Sequence, residues 1–350
     1  MMTSRLTSRL KRSFLSILTD ARKPAPLKLI FVAIVLVVKL SGAIQAQQDA
    51  CLNRTVAVNV LSEDVRVVEG LSAQNFRGKV HGHPVEILSV NRDAGPRRIV
   101  IALDASGSMR DVWRLEIFAA EGLLNSDTDS SFALLTFSTQ IDQRIDFTQD
   151  RKKLLKDLAE LEVPSNGNPK GRTALRDGLA TAVDLLQPVQ SGDAVFLVSD
   201  GGDNASQLKD SPLKDALVRS GVRLFALITG EDFRGSRSIT NEEIGGPEWV
   251  RGLVAATGGD STIFQVGVDS ASTFSPRFHA PVKLSKHGQQ VMSFATEGFD
   301  KEITDLYRLT IRLTESLHKP SDLKLDVLDV NGKENSHWLI VYPHRLAACP

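Results

Sequence analysis

The stretch RIVIALDASGSM, residues 98–109, joins an apolar run to a short polar segment. The apolar run at 98–103 has the length and composition of a strand that is buried on both faces of a sheet. The polar segment after it has one acid and two hydroxyl side chains in five residues: Asp104, Ser106 and Ser108. Because these residues alternate, we expect their oxygens to point at one place beyond the end of the strand.

The same kind of apolar run recurs along the chain, separated by amphipathic stretches of helical length. Strand-like runs lie at 98–103, 132–137, 194–199, 222–228 and 261–267. Helical stretches lie at 112–124, 151–161, 173–186, 212–220 and 247–257. This alternation is typical of a mostly parallel sheet with helices on both faces. We therefore predict a doubly wound α/β domain over residues 96–306.

Strand-like segments without intervening helices flank this domain. RTVAVNVL and HPVEILSV lie in the N-terminal segment, 51–95, and YRLTIRL, DLKLDVLDV and HWLIVYP lie in the C-terminal segment, 307–350. Each segment is too small to form a stable sheet by itself. We predict that the two segments pair into one small β unit.

Residues 1–46 have the features of a signal peptide. Seven Lys and Arg residues precede the apolar run LIFVAIVLVV, and the small residues of SGAIQA follow it. The apolar run is shorter than the roughly 20 residues of a membrane-spanning helix. We predict export to the periplasm, the cell surface or the medium, without membrane insertion of the mature chain. An N-terminal membrane anchor is the alternative.

The charge of the predicted mature chain differs from that of the whole sequence, whose formal net charge is zero. Residues 1–46 contain eight of the 42 basic residues and one of the 42 acidic residues, which leaves 34 basic and 41 acidic side chains and a net charge of −7. A negative chain repels the phosphates of nucleic acids and anionic lipids. We therefore expect neither nucleic acid nor an anionic membrane as a partner.

The two cysteines, Cys51 and Cys349, lie at opposite ends of the predicted mature chain. Export permits a disulfide, and a bridge that closes almost the whole chain would restrict the unfolded state. We predict this disulfide, with two separate free thiols as the alternative.

Two further segments add oxygen ligands to the predicted site. Thr173 begins a helix in the segment GRTAL, and Asp200 follows an apolar strand in the segment FLVSDGGDNAS. Ligands of doubly wound sheets bind at the carboxyl ends of the strands. Carboxylate and hydroxyl oxygens suit Mg²⁺ that retains several waters. The alternative for the first segment is that Asp104 and Ser106 cap the helix that follows.

The segments DASGSM, GRTAL and SDGGDNAS resemble the three site loops of the von Willebrand factor A (VWA) domain with a metal-ion-dependent adhesion site. The resemblance covers about residues 96–306. It implies that Mg²⁺ or Mn²⁺ is held directly by Ser106, Ser108 and Thr173, while Asp104 and Asp200 act largely through waters. It also implies an open coordination position for a carboxylate from a protein partner.

The flanking segments look like those of exported bacterial proteins with a VWA-related domain, which are common in acidobacteria. One departure from the family pattern is Arg176, where an aromatic residue is expected after TAL. In related integrin-type domains, metal occupancy is coupled to a shift of the last helix. The corresponding stretch here is DKEITDLYRL, 300–309, and its movement is a hypothesis.

These features predict a non-enzymatic exported protein that binds an Asp or Glu carboxylate of a protein ligand through a divalent metal. One alternative is an envelope assembly component with a constitutive partner. Another is a Mg²⁺-dependent phosphohydrolase with Asp104 as nucleophile and Asp200 near the metal. The three loops contain no histidine, and the sequence lacks the G-x-S-x-G and Walker motifs of acyl transfer and nucleotide hydrolysis.

Overall fold

A computed structural model of the chain describes residues 51–126, 129–161, 172–231, 241–266, 284–329 and 331–349. The predicted signal peptide at 1–46 lies outside the described residues. Within them, the strands in chain order are β1 (Asn53–Leu61), β2 (Phe76–Val80), β3 (His83–Ala94), β4 (Arg98–Asp104), β5 (Ser131–Phe137), β6 (Ile141–Thr148), β7 (Ala194–Ser199), β8 (Arg223–Glu231), β9 (Ser261–Val266), β10 (Asp305–Arg312), β11 (Ser321–Val327), β12 (Leu339–Val341) and β13 (Arg345–Leu346).

The helices of the described residues alternate with the central strands. They are α1 (Trp113–Ser126), α2 (Arg151–Ala159), α3 (Leu175–Leu185), α4 (Asp210–Ser220), α5 (Asn241–Thr257) and α6 (Lys286–Thr304). Short 3-10 helices cover Ala73–Asn75 and Gly107–Val112. None of these helices is long and apolar enough to cross a membrane.

Strands β4 to β9 form the central six-stranded sheet, in the order β6-β5-β4-β7-β8-β9. All neighbouring pairs are parallel except β5 and β6, which are antiparallel. The predicted doubly wound, mostly parallel sheet is thereby confirmed. Edge strand β6 is absent from the sequence prediction because its segment IDQRIDFT is mostly polar, and none of its residues is buried.

Two apolar cores lie on the two faces of the central sheet. Side chains of β4 alternate between them: Ile99, Ile101 and Leu103 pack with α1 and α6, while Val100 and Ala102 pack with α3, α4 and α5. Both faces of the strand are therefore buried, which explains why its sequence is apolar throughout.

The central sheet has a switch in strand order next to β4. The chain passes from β4 to β5 on one side, and β7 pairs with β4 on the other side. Since these strands are parallel, the loops after β4, β5 and β7 meet at one edge of the sheet. A crevice at such a switch point is the usual ligand site of this architecture.

The other strands form a seven-stranded antiparallel sheet, in the order β12-β1-β10-β3-β2-β11-β13. Its core includes Val56 and Val58 of β1, which pair with Leu309 and Tyr307 of β10. The predicted pairing of the two flanking segments is thereby confirmed. Both Cys51 and Cys349 are disulfide-bonded, as the sequence predicts.

The end of the central domain differs from the sequence prediction at helix α6 and strand β10. The stretch at 300–309 is not one helix: α6 ends at Thr304 and β10 begins at Asp305. Most of α6 was not predicted, because polar residues and Gly298 interrupt the apolar pattern of KHGQQVMSFATEGFDKEIT. The helix buries Met292 and Phe299 against the sheet.

Candidate functional site

Asp104 is the last residue of β4 and is fully buried. Its Oδ1 accepts a hydrogen bond from the backbone N–H of Ser106 over 3.0 Å. Its Oδ2 accepts a hydrogen bond from the hydroxyl of Ser199 over 2.6 Å. Both carboxylate oxygens are thus held in place by the loop after β4 and by the end of β7.

Ser106 and Ser108 bring their hydroxyls together beside Asp104. The two Oγ atoms are 3.1 Å apart. Ser106 occupies the N-cap position of the 3-10 helix Gly107–Val112, but its side chain makes no capping hydrogen bond. The capping alternative therefore does not describe the Ser106 hydroxyl, which is directed at the Ser108 hydroxyl instead.

Thr173 is buried and is fixed by the loop after β7. Its backbone N–H donates to Oδ1 of Asn204 over 2.9 Å. Its carbonyl oxygen accepts from the backbone N–H groups of Asn204 and Ala205, both over 2.9 Å. Thr173 and the loop that carries Asp200 are therefore one hydrogen-bonded unit.

The residues after β5 connect this unit to the DASGSM loop. The backbone N–H of Ala174 donates to the carbonyl of Ser138, and that of Ala105 donates to the carbonyl of Phe137, both over 2.7 Å. The loops that carry the five predicted ligands therefore lie side by side at the carboxyl edge of the sheet.

Asp200 follows β7 directly, and its Oδ1 accepts from the backbone N–H of Gly202 over 2.9 Å. Burial, followed by the charge of Asp200, raises the pKa of Asp104 to about 8, although hydrogen bonds from Ser199 and Ser106 oppose this rise. The negative charge of Asp200 disfavours the ionised form of buried Asp104. A divalent cation nearby would favour the ionised form of Asp104, and the hydroxyls of Ser106 and Ser108 are hard oxygen donors. The residues present therefore fit Mg²⁺ or Mn²⁺.

Glu116 of α1 is a site residue that the sequence analysis missed. The residue is fully buried, and its Oε2 accepts from the backbone N–H of Asp104 over 3.1 Å. Its Oε1 has no hydrogen-bond partner among the described residues. Burial, and then the charges of Asp104 and Asp200, hold the pKa of Glu116 well above its usual range. Glu116 lies four residues after buried Val112 and four residues before buried Ala120. This helical spacing predicts that Glu116 lies on the buried face of α1.

Ser199 is the second missed residue. It donates to Asp104, and its hydroxyl accepts from the backbone N–H of Gly201 over 3.0 Å. Gly201 has a φ of +84°, and a side chain there would clash with the backbone of Gly246. Ser199 is the only polar residue of the apolar run AVFLVS and directly precedes Asp200. Its position at the end of the strand indicates a place at the site.

Arg176 forms an ion pair with Asp203 over 3.0 Å. The same carboxylate accepts from the backbone N–H of Arg176 over 2.8 Å and from the hydroxyl of Ser206. The residue that departs from the family pattern therefore strengthens the connection between α3 and the loop after β7.

The strand order and these loops define the class of architecture: the central domain has a VWA-type fold. Residues 74–242, a little less than half of the chain, match a family model described as "VWA domain containing CoxE-like protein". Across the described part of the chain, no three His, Cys, Asp or Glu side chains form a metal-binding group.

Several solved structures are similar to this chain. BatB from Bacteroides thetaiotaomicron, a conserved hypothetical protein, is 16% identical; the match covers 59% of this chain and 99% of BatB, with a TM-score of 0.42. A von Willebrand factor type A protein from Catenulispora acidiphila is 14% identical, with 86% and 75% of the chains covered and a TM-score of 0.38. No curated protein matches the chain.

Proposed function

We propose that this protein is a non-enzymatic binding protein whose VWA-type domain recognises a carboxylate of a protein ligand through Mg²⁺ or Mn²⁺. The observation that carries the proposal is the pair of Ser106 and Ser108 hydroxyls, 3.1 Å apart beside buried Asp104. Because hydroxyl ligands are uncharged, they leave most of the positive charge of the cation unbalanced. An Asp or Glu carboxylate of the protein ligand would therefore bind favourably.

The roles of the residues follow from their positions. Ser106, Ser108 and Thr173 would hold the cation with their hydroxyls, while Asp104 and Asp200 would act through waters. The cation would supply the positive charge that attracts the ligand carboxylate. Ser199 and Glu116 hold the side chain and the backbone of Asp104, and Asn204 holds the backbone of Thr173.

The burial of Asp104 favours binding over phosphohydrolase chemistry. A nucleophilic aspartate must present a carboxylate oxygen to the substrate. Asp104 is fully buried, and its two oxygens accept hydrogen bonds from Ser106 and Ser199. These contacts support a role in organising the loop.

We place this function outside the cytoplasm. The signal-peptide pattern of residues 1–46 and the disulfide-bonded cysteines support export, because disulfides persist in oxidising compartments. The likeness of the flanking segments to those of exported bacterial VWA-related proteins supports it as well.

Calorimetric titration with MgCl₂ and MnCl₂ tests the metal site. We expect saturable binding by the purified protein and at least a tenfold weaker affinity in Ser106→Ala. Ser220→Ala is the matched control, because the Ser220 hydroxyl bonds to Leu217 at the end of α4. Equal metal affinity in Ser106→Ala and the control contradicts the proposal.

The type of partner is tested by capture on the immobilised protein. A complex that forms in Mg²⁺ and dissociates in EDTA supports metal-bridged recognition. A complex that survives EDTA, and that Ser106→Ala also forms, supports the alternative of a constitutive assembly component.

A further inference from the structure

A crevice lies at the edge of the central sheet opposite to Asp104. Its volume is about 460 Å³, within the usual size range of small-molecule sites. Helix α6 forms one wall, and Asp260 and Thr262 at the start of β9 form the second. Val65, in the loop after β1, and Leu339 of β12 form the third. The crevice therefore lies where the two sheets and the last helix meet.

The mouth of the crevice is apolar and open to water. Phe294 of α6 is 64% exposed and Leu339 of β12 is 54% exposed, and both line the same crevice. Val291 and buried Phe299 continue this surface inwards. An apolar group that enters between Phe294 and Leu339 would remove both side chains from water.

The inner end of the crevice has a buried carboxyl group. Glu302 is 3% exposed, and its Oε2 has no hydrogen-bond partner within the described ranges. A buried polar atom without a partner is costly, and each such atom in a native structure requires an explanation.

The guanidinium of Arg223, a nearby cation, makes no hydrogen bond to the Glu302 carboxyl group among the described contacts. It donates to the carbonyls of Gly258 over 2.7 Å and Glu302 over 2.8 Å, and to Oδ1 of Asn59. These bonds connect β8, α6 and β1, and none of them reaches the Glu302 carboxyl group.

The charge of the crevice is negative when its acids are ionised. Two carboxyl groups, Glu302 and Asp260, and one histidine, His287, line the crevice. The Arg223 guanidinium compensates one of the two carboxylates. Burial, and then the charge of Asp260, raise the pKa of Glu302 to about 8, while Arg223 opposes this rise. A cationic ligand would favour the ionised form of Glu302.

We propose that this crevice binds a small organic ammonium ion that carries an apolar group, with the ammonium beside the carboxyl groups of Glu302 and Asp260 and the apolar group lying between Phe294 and Leu339. An ammonium group supplies a positive charge beside these two acids. An anion would be repelled by Glu302 and Asp260. The proposal is independent of the metal site, which lies at the other edge of the sheet.

Calorimetry with 2-phenylethylammonium chloride tests the proposal, with 2-phenylethanol as the uncharged probe of the same length. We expect saturable binding of the ammonium probe to the full chain, at least tenfold tighter than binding of the alcohol. Glu302→Gln should remove this preference, because it keeps the shape and loses the negative charge. Glu297→Gln is the matched control, since Glu297 is an exposed residue of the same helix outside the crevice.

Two results would overturn the proposal: failure of the ammonium probe to bind, or an unchanged preference for it in Glu302→Gln. Phe294→Ser is a second variant. Because Phe294 is mostly exposed, we expect this substitution to leave the fold intact. We expect about tenfold weaker binding of both probes to this variant. Unchanged binding of both probes by Phe294→Ser would also overturn the proposal.

Discussion

The hydroxyl of Ser199, at the end of β7, donates a hydrogen bond to Oδ2 of Asp104, at the end of β4, over 2.6 Å. Parallel pairing of the two strands ends at Leu103 and Val198, immediately before these residues. The sheet itself therefore sets the orientation of the carboxylate. Side chains that orient a metal-binding group affect affinity although they do not touch the metal.

We expect Ser199→Ala to weaken Mg²⁺ binding by about tenfold, because outer contacts of metal sites typically contribute 10- to 100-fold. The variant loses the hydroxyl that donates to Oδ2 of Asp104 over 2.6 Å. Calorimetry measures the affinity, and thermal unfolding checks the fold. Affinity equal to that of the unaltered protein would show that the hydrogen bond has no role in metal binding.

Glu116 supports the backbone of Asp104, and two substitutions separate its hydrogen bond from its charge. Glu116→Ala removes the acceptor of the Asp104 N–H and leaves a cavity, so we expect a loss of roughly 2–4 kcal/mol in the free energy of unfolding. Glu116→Gln keeps an acceptor oxygen and should cost less than about 1 kcal/mol. Urea unfolding measures both values, and equal losses would contradict this role.

Glu302 makes stability depend on pH. Its pKa rises from 4.5 to about 8 on folding, so the folded protein binds the extra proton between these values. The contribution to stability is fully present below pH 4.5 and is lost as the pH rises towards 8. We expect Glu302→Gln to flatten this decline by a few kcal/mol, since one pKa unit corresponds to about 1.4 kcal/mol.

Urea unfolding at several pH values between 4.5 and 8 measures this effect, without any probe in the crevice. Exposed Glu297→Gln is again the control and should keep the slope of the unaltered protein. If Glu302→Gln also keeps that slope, the Glu302 carboxyl group does not titrate in this range.

Arg223 holds the C-terminal end of α6. Its guanidinium donates to the Glu302 carbonyl, and Asn59 donates to the carbonyls of Glu302 and Asp305 over 3.0 and 2.8 Å. With β10 starting directly after α6, we expect this end of the helix to stay in place when a ligand carboxylate binds. Crystal structures with Mg²⁺, with and without an Asp-containing peptide, test this. A displaced Glu302 carbonyl would restore the hypothesis of a moving last helix.

We expect Arg223→Met to lower the free energy of unfolding by roughly 3–5 kcal/mol. The side chain is buried, and its loss leaves the Asn59 amide oxygen and the Gly258 carbonyl without this donor. Urea unfolding measures the loss. Arg219→Met is the control, because Arg219 is an exposed residue of helix α4. A similar value for both variants would contradict the role of Arg223.

The sequence by itself determined the alternation of strands and helices, because a strand buried on both faces must be apolar at every position, as β4 and β7 are. It also determined the DASGSM loop, since its oxygen-bearing residues are adjacent in the chain. Strand β6 and most of α6 escaped prediction because their polar residues mask the apolar pattern.

Only the tertiary structure decided which distant groups meet. The contact of Ser199 with Asp104 spans 95 positions, and that of Arg223 with Asn59 spans 164. Helical spacing places Glu116 and Glu302 on buried faces, but it does not show that one carboxyl group supports the Asp104 backbone and that the other has an unpaired oxygen in a crevice. Strand order and packing create these contacts, and local pattern contains no information about them because the partners are far apart in the chain.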